Sequence, residues 1–172
     1  LSGWQECRTT EKKWKEQVQS FLDTYGCCVA GSLIPGTEKF GMLPEKLMED
    51  LLYLADEILI EADGSAHMPV KAPAEHEPVL FPYMDEVVIV MGAHAIGKPL
   101  REVCHRADYA KELLKCDADK IVKAADLETL AEQGYAIPIQ KQYPWMKISK
   151  VTGKDIKLCL TAEKKDKERD KQ

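Results

Sequence analysis

The stretch Glu57-Ile58-Leu59-Ile60-Glu61-Ala62-Asp63-Gly64-Ser65 sets the reading of this chain, together with the second apolar run at Glu86–Met91. Near-continuous apolar segments of this length are expected of strands covered on both faces in a parallel sheet. The first, Glu57 to Ala62, ends in carboxylates and opens into a long loop, Gly64 to Pro82. That loop contains Pro69, Pro73, Pro78 and Pro82, which make it stiff and extended. Long loops inside small domains are usually functional or disordered, and prolines lower the cost of ordering them.

Upstream, Trp4, Trp14, Val18, Phe21 and Leu22 suit an amphipathic helix over residues 4–24 that ends before Gly26. A short strand is expected at Cys27–Ala30. A second helix runs from Pro44 to about Ala55, where Leu47, Met48, Leu51, Leu52 and Leu54 recur at helical spacing. Downstream, helices are expected at Tyr109–Leu114 and over Asp117–Glu132, ending at Gly134, with Asp117 and Asp126 as N-caps. One strand is expected near Ile156–Leu160. Strand, helix, strand, loop, strand is the α/β pattern. Residues 1–160 are expected to form one α/β domain and residues 161–172 a charged, disordered tail.

Composition narrows the function classes. The 172 residues are 45% hydrophobic, enough for one sizeable core. A net charge of -5 argues against a protein that coats nucleic acid. No apolar run approaches a bilayer span and no export signal opens the chain, so a soluble, cytoplasmic protein without a membrane partner is expected. The six cysteines are then expected to be reduced.

Glu61 and Asp63 resemble the acidic end of a Walker B strand. Strand residues two apart share a face, so both carboxylates can converge on one metal ion, acting catalytically and as ligands. An Asp-Gly turn with Asp63 capping loop amides is the alternative. In the loop, Lys71 can meet a phosphate or carboxylate as a point charge. His76, between Glu75 and Glu77, is a candidate acid/base group or metal ligand. A solvated charged loop is the plainer reading. A zinc hydrolase site of His67, His76 and Glu77 has less support, because no helical HExxH spacing accompanies it.

Gly92-Ala93-His94-Ala95-Ile96-Gly97-Lys98-Pro99 fits G-x-x-x-x-G-K. A phosphate loop needs Ser or Thr after the lysine, and Pro99 supplies neither hydroxyl nor amide. A glycine-permitted turn is the better reading. Lys98, His105 and Arg106 are expected at the C-terminal edge of the sheet, as substrate-binding residues with Lys71, Glu75 and Glu77. For His105 and Arg106 an ordinary surface pair is the alternative.

Leu59 to Ser65, the string Lys71-Ala72-Pro73-Ala74-Glu75-His76-Glu77-Pro78, Gly92 with Gly97 to Leu100, and Val103 to Arg106 together resemble the YqeC family. The likeness covers about residues 27–116. It implies a P-loop-NTPase-like fold, a mostly parallel sheet with flanking helices. It also implies an accessory role toward selenium-dependent molybdenum hydroxylases or their cofactor-maturation proteins, with Mg2+ and ATP or another nucleotide handled by the intact protein. The Gly-Gly-Lys-Thr-Thr type loop that opens such proteins is missing here, and no asparagine exists to form their Asn-Lys-x-Asp-like segment. The resemblance therefore implies a fold truncated at the N-terminus, or one whose gap the N-terminal segment and a partner chain cover, with weak or no ATP binding and no ATP-dependent activity expected of this chain alone. A non-catalytic docking or chaperone module is the alternative.

Overall fold

Why the chain places its helices and strands where it does is clearest from its glycines and prolines. The structure, a computed structural model, describes residues 11–153. Two compact units are distinguishable by their internal packing, one ending at Ile60 and the other starting at Glu61.

In the first unit, helix α1 (Glu11–Tyr25) buries Trp14 and Val18, one turn apart on a single face. Gly26 stops it in the left-handed region at φ +70°, its amide donating to the Leu22 carbonyl at 2.8 Å. Strands β1 (Ser32–Leu33) and β2 (Phe40–Gly41) pair antiparallel, whereas the strand expected at Cys27–Ala30 does not form. Pro44 caps helix α2 (Glu45–Leu54), which buries Met48 and is joined to α1 by Lys15 Nζ on Asp50 Oδ2 at 2.7 Å.

The strand expected at Glu57–Ala62 does not form. Leu59 is 68% exposed, and among the described residues no strand pairs with this segment. Its three apolar residues sit among four carboxylates, and a parallel strand without ladder partners leaves its amides to water. Asp63 therefore belongs to a loop.

In the second unit, β3 (Val70–Lys71) runs parallel to β5 (Cys104–His105). β4 (Glu86–Gly92) runs parallel to β6 (Lys147–Gly153) over seven residue pairs. β6 carries no expectation above, and the strand expected at Ile156–Leu160, like the tail 161–172, lies outside the described residues. Between them come α3 (Leu100–Val103), α4 (Ala107–Leu114), α5 (Ala124–Thr129), a π-helical segment (Leu130–Ala136) and α6 (Ile137–Gln142). The class is α/β, with small parallel sheets and helices.

The core gathers Ile89 and Met91 of β4 against Leu100, Leu127, Leu130, Ile139 and Met146. Each fully buried leucine contributes roughly 1.5–3 kcal/mol. Val88 and Val90 alternate to the other face of β4 and are each 39% exposed, so among the described residues this strand is covered on one face.

The long helix differs from expectation at both ends. Residues 117–120 form a turn instead of a helix start, and the chain after it pairs with the stretch around Pro99: Val122 N donates to Lys98 O and Leu100 N to Lys120 O, both at 2.9 Å. Asp117 caps nothing there. Asp126 sits one turn inside α5, where its carboxylate accepts the Lys123 amide at 2.8 Å and the Lys120 ammonium at 2.6 Å. The helix then passes Gly134, where a Cβ would come within 3.2 Å of Pro73 Cδ and 3.4 Å of Leu113 Cδ1. It shifts to a π turn in which Ile137 N reaches Glu132 O. Pro138, which has no amide to give, follows directly at the start of α6.

Gly92 is required by close approach. Its amide donates to Pro69 O at 2.8 Å, and a Cβ there would lie 2.8 Å from the same oxygen and from Pro69 Cβ. Gly92→Ala is expected to lower stability by about 1–3 kcal/mol through this overpacking. Urea unfolding would show it as a lower midpoint at unchanged slope.

Candidate functional site

The loop that follows Ile60 folds back so that its charges meet β3 and β5. Ala62 O accepts the Val79 amide at 3.3 Å, which ties the two ends of the loop together. Within it Ala66 and His67 adopt left-handed backbones, and Met68 N closes the turn onto Ser65 O at 3.0 Å. The turn carries the chain into β3.

At the centre stands Lys71, with only 5% of its side chain exposed. Burying an ammonium is tolerable only if it is paired and hydrogen-bonded. Its Nζ donates to Asp63 Oδ1, to Gly64 O at 2.9 Å and approaches Glu77 Oε2 at 2.9 Å. Those oxygens account for its three protons. Arg106 grips Glu77 with both terminal nitrogens, Nη1 on Oε2 and Nη2 on Oε1 at 3.1 Å. The Ala74 amide donates to Glu77 Oε2 at 3.1 Å. Asp63 Oδ2 accepts the Tyr135 hydroxyl at 2.7 Å.

Charges alternate along the line Asp63, Lys71, Glu77, Arg106, two of each sign. Burial by itself would push the Glu77 carboxyl up. Hydrogen bonds from Arg106 and Lys71, with the Ala74 amide, outweigh it and hold the group down at about 2. The Tyr135 hydroxyl is pushed well above its usual range by burial and then by Asp63, so it stays a donor. Burial likewise lifts the Cys104 thiol, on the opposite face of the ladder from Lys71, to about 11, leaving it protonated at neutral pH.

Of the residues singled out from sequence, Asp63, Lys71, Glu77 and Arg106 come together. His105 is the register partner of Lys71, so its half-buried side chain shares the same face of the β3–β5 ladder, and its carbonyl accepts the Ala72 amide at 3.1 Å. Glu61, Glu75 and His76 are exposed and stand outside the ion pairs. Lys98 is exposed on its turn. Tyr135 was not foreseen: it lies 72 residues from Asp63, and nothing in local spacing points to it. A tyrosine in an apolar helix stretch does need an acceptor when buried, which is the one signal it carries.

The magnesium and nucleotide that the resemblance implies find few groups here to hold them. Both oxygens of Asp63 are engaged, Oδ1 by Lys71 and Oδ2 by Tyr135. Glu61 is not drawn beside Asp63, because the strand that would align them is absent. Four amides of the Gly92–Lys98 turn are committed to carbonyls: Gly92 to Pro69, Ile96 to Ala93, Gly97 to Val122 and Lys98 to Ala95. With both glycine amides and the lysine amide already used, the turn lacks the run of free amides that a phosphate loop presents. No helix among the described residues is long and apolar enough to cross a membrane.

The model of the YqeC protein family matches residues 3–108. A relative from Escherichia coli strain K12, described as uncharacterized protein YqeC, is 42% identical over 76 residues. That match covers 44% of this chain and 30% of the relative. No solved structure matches this chain. The matched region takes in the loop, Lys71, Glu77 and Arg106, and on it rests the conclusion that the chain belongs to the YqeC family.

Proposed function

We propose that this chain serves the maturation of selenium-dependent molybdenum hydroxylases as a docking module. It presents the loop between Gly64 and Pro82 to an apo-hydroxylase or to a protein that carries its cofactor. The observation that supports this reading is the mutual satisfaction of Asp63, Lys71, Glu77 and Arg106. Catalytic clusters commonly hold a group poised near neutral pH. Here Glu77 is held firmly ionised and Tyr135 firmly protonated, so the cluster acts as a clamp at the root of the loop. Glu75 and His76 are left exposed between Pro73 and Pro78, where a partner can reach them.

Nucleotide-dependent selenium or cofactor handling by the intact protein, on a P-loop-like fold, is the second reading. The parallel pairing of β3 with β5 and of β4 with β6 supports it. Within this chain it would need Lys71 to leave Asp63.

The two readings separate by experiment. With the chain immobilised, Glu75→Ala and His76→Ala together should reduce capture of the apo-hydroxylase at least about tenfold, the loss of a few interface contacts, without moving the melting temperature. Undiminished capture would overturn the docking role. Calorimetry with Mg-ATP should give no binding heat at micromolar concentrations. Micromolar binding abolished by Asp63→Ala would favour the nucleotide reading instead.

A further inference from the structure

Outside the clamp, the unusual chemical feature is the adjacent pair Cys27-Cys28. Gly26 ends α1, and the residues that follow, 27–30, belong to neither helix nor strand. Cys27 is exposed and Cys28 half-buried, and both are free thiols. Among the described residues the Cys28 thiol makes one hydrogen bond, a long contact to the Val29 carbonyl at 3.8 Å. Adjacent Cα atoms stand about 3.8 Å apart across a trans peptide. Because residues 27–30 lie outside any helix or strand, no ladder holds the two thiols to opposite faces. Cys104, by contrast, lies in the core, and Cys116 has no cysteine beside it in sequence.

The electrostatics favour a shared ligand over separate thiolates. Burial and then the Cys27 charge push the Cys28 thiol up, so removing both protons to water is disfavoured. A centre bonded to both sulfurs removes that repulsion. Soft sulfur donors select soft centres, whereas hard cations prefer oxygen.

We propose that Cys27 and Cys28 form a two-sulfur site for a thiophilic centre of the trivalent-arsenic or d10-ion class. With an arsenoxide, two As–S bonds form as two S–H bonds and the As–O bonds break. The two protons leave with the oxygen as one water, and arsenic stays in its +3 state, so no oxidant is needed. Ring closure by the second sulfur is intramolecular, with an effective concentration of millimolar or more.

The test uses the full, reduced chain titrated with phenylarsine oxide in excess 2-mercaptoethanol, read by intact mass. One phenylarsenic group per chain should persist in the wild type and in Cys7→Ser, Cys116→Ser and Cys159→Ser. It should be lost, or held at least about tenfold more weakly, in Cys27→Ser and in Cys28→Ser. No adduct in the wild type, or an adduct retained at full strength in either of those two variants, would overturn the site.

Discussion

Lys71→Met is expected to lower the thermal midpoint of this protein by on the order of 10 °C. Removing the ammonium leaves Asp63 and Glu77 facing each other with little water, their side chains 13% and 16% exposed. Deleting one partner of a buried ion pair costs about 3–5 kcal/mol, because the remaining charge is uncompensated. For a chain of this size each kcal/mol shifts the midpoint by roughly 2–4 °C. Methionine keeps most of the stem's volume, so packing loss is a minor part of the change. Adding Asp63→Asn to Lys71→Met should recover part of the loss, since an amide needs no counter-ion. Calorimetric melting of the four proteins in that cycle isolates the pairing. A loss of less than about 1 kcal/mol in the single variant would mean that Lys71 is not the keystone of the loop.

Glu77→Gln should flatten the acid limb of the stability curve. The carboxyl titrates at about 2 in the folded protein against a usual 4.5. Its folded value is depressed, so its stabilisation is complete above about pH 4.5 and is lost as pH falls toward 2. The linkage amounts to about 3 kcal/mol at most, less whatever water screens. Glutamine does not titrate, so the variant should be less stable at pH 7 and should converge on the wild type near pH 2. Urea unfolding across that range measures it. Parallel curves from pH 6 down to 2 would contradict the assigned ion pairs.

These expectations rest on a cluster that sequence showed only in part. Lys71, Glu77 and Pro78 lie in one short string, and their chemistry was legible as a stiff, charged loop. Arg106 is expected near the same sheet edge only because it lies downstream of the Gly92–Lys98 turn; that a strand, β5, leads into it is seen in the structure alone. Pattern alone points to Glu61 and His76: to the first if Ile58–Ile60 makes a strand, to the second through its carboxylate neighbours. Both readings depend on ladder partners and loop direction, which short-range periodicity does not encode. The G-x-x-x-x-G-K string illustrates the same limit. Its glycines are used for a close approach to Pro69 and for a positive φ at Gly97, and four of its amides for the chain's own carbonyls.

From sequence alone came the α/β class, the position of α2, β4 and the proline-stiffened loop, and the resemblance to the family. Periodicity, proline and glycine act within a few residues, so these features are written locally. The tertiary structure decided that the charges of the loop answer one another. Glu77 meets Arg106 across 29 residues and Asp63 meets Tyr135 across 72, through a helix whose register shifts by a π turn on the way. Ion pairing of buried groups is a property of packing, since only the folded core removes the water that would otherwise hold each charge apart.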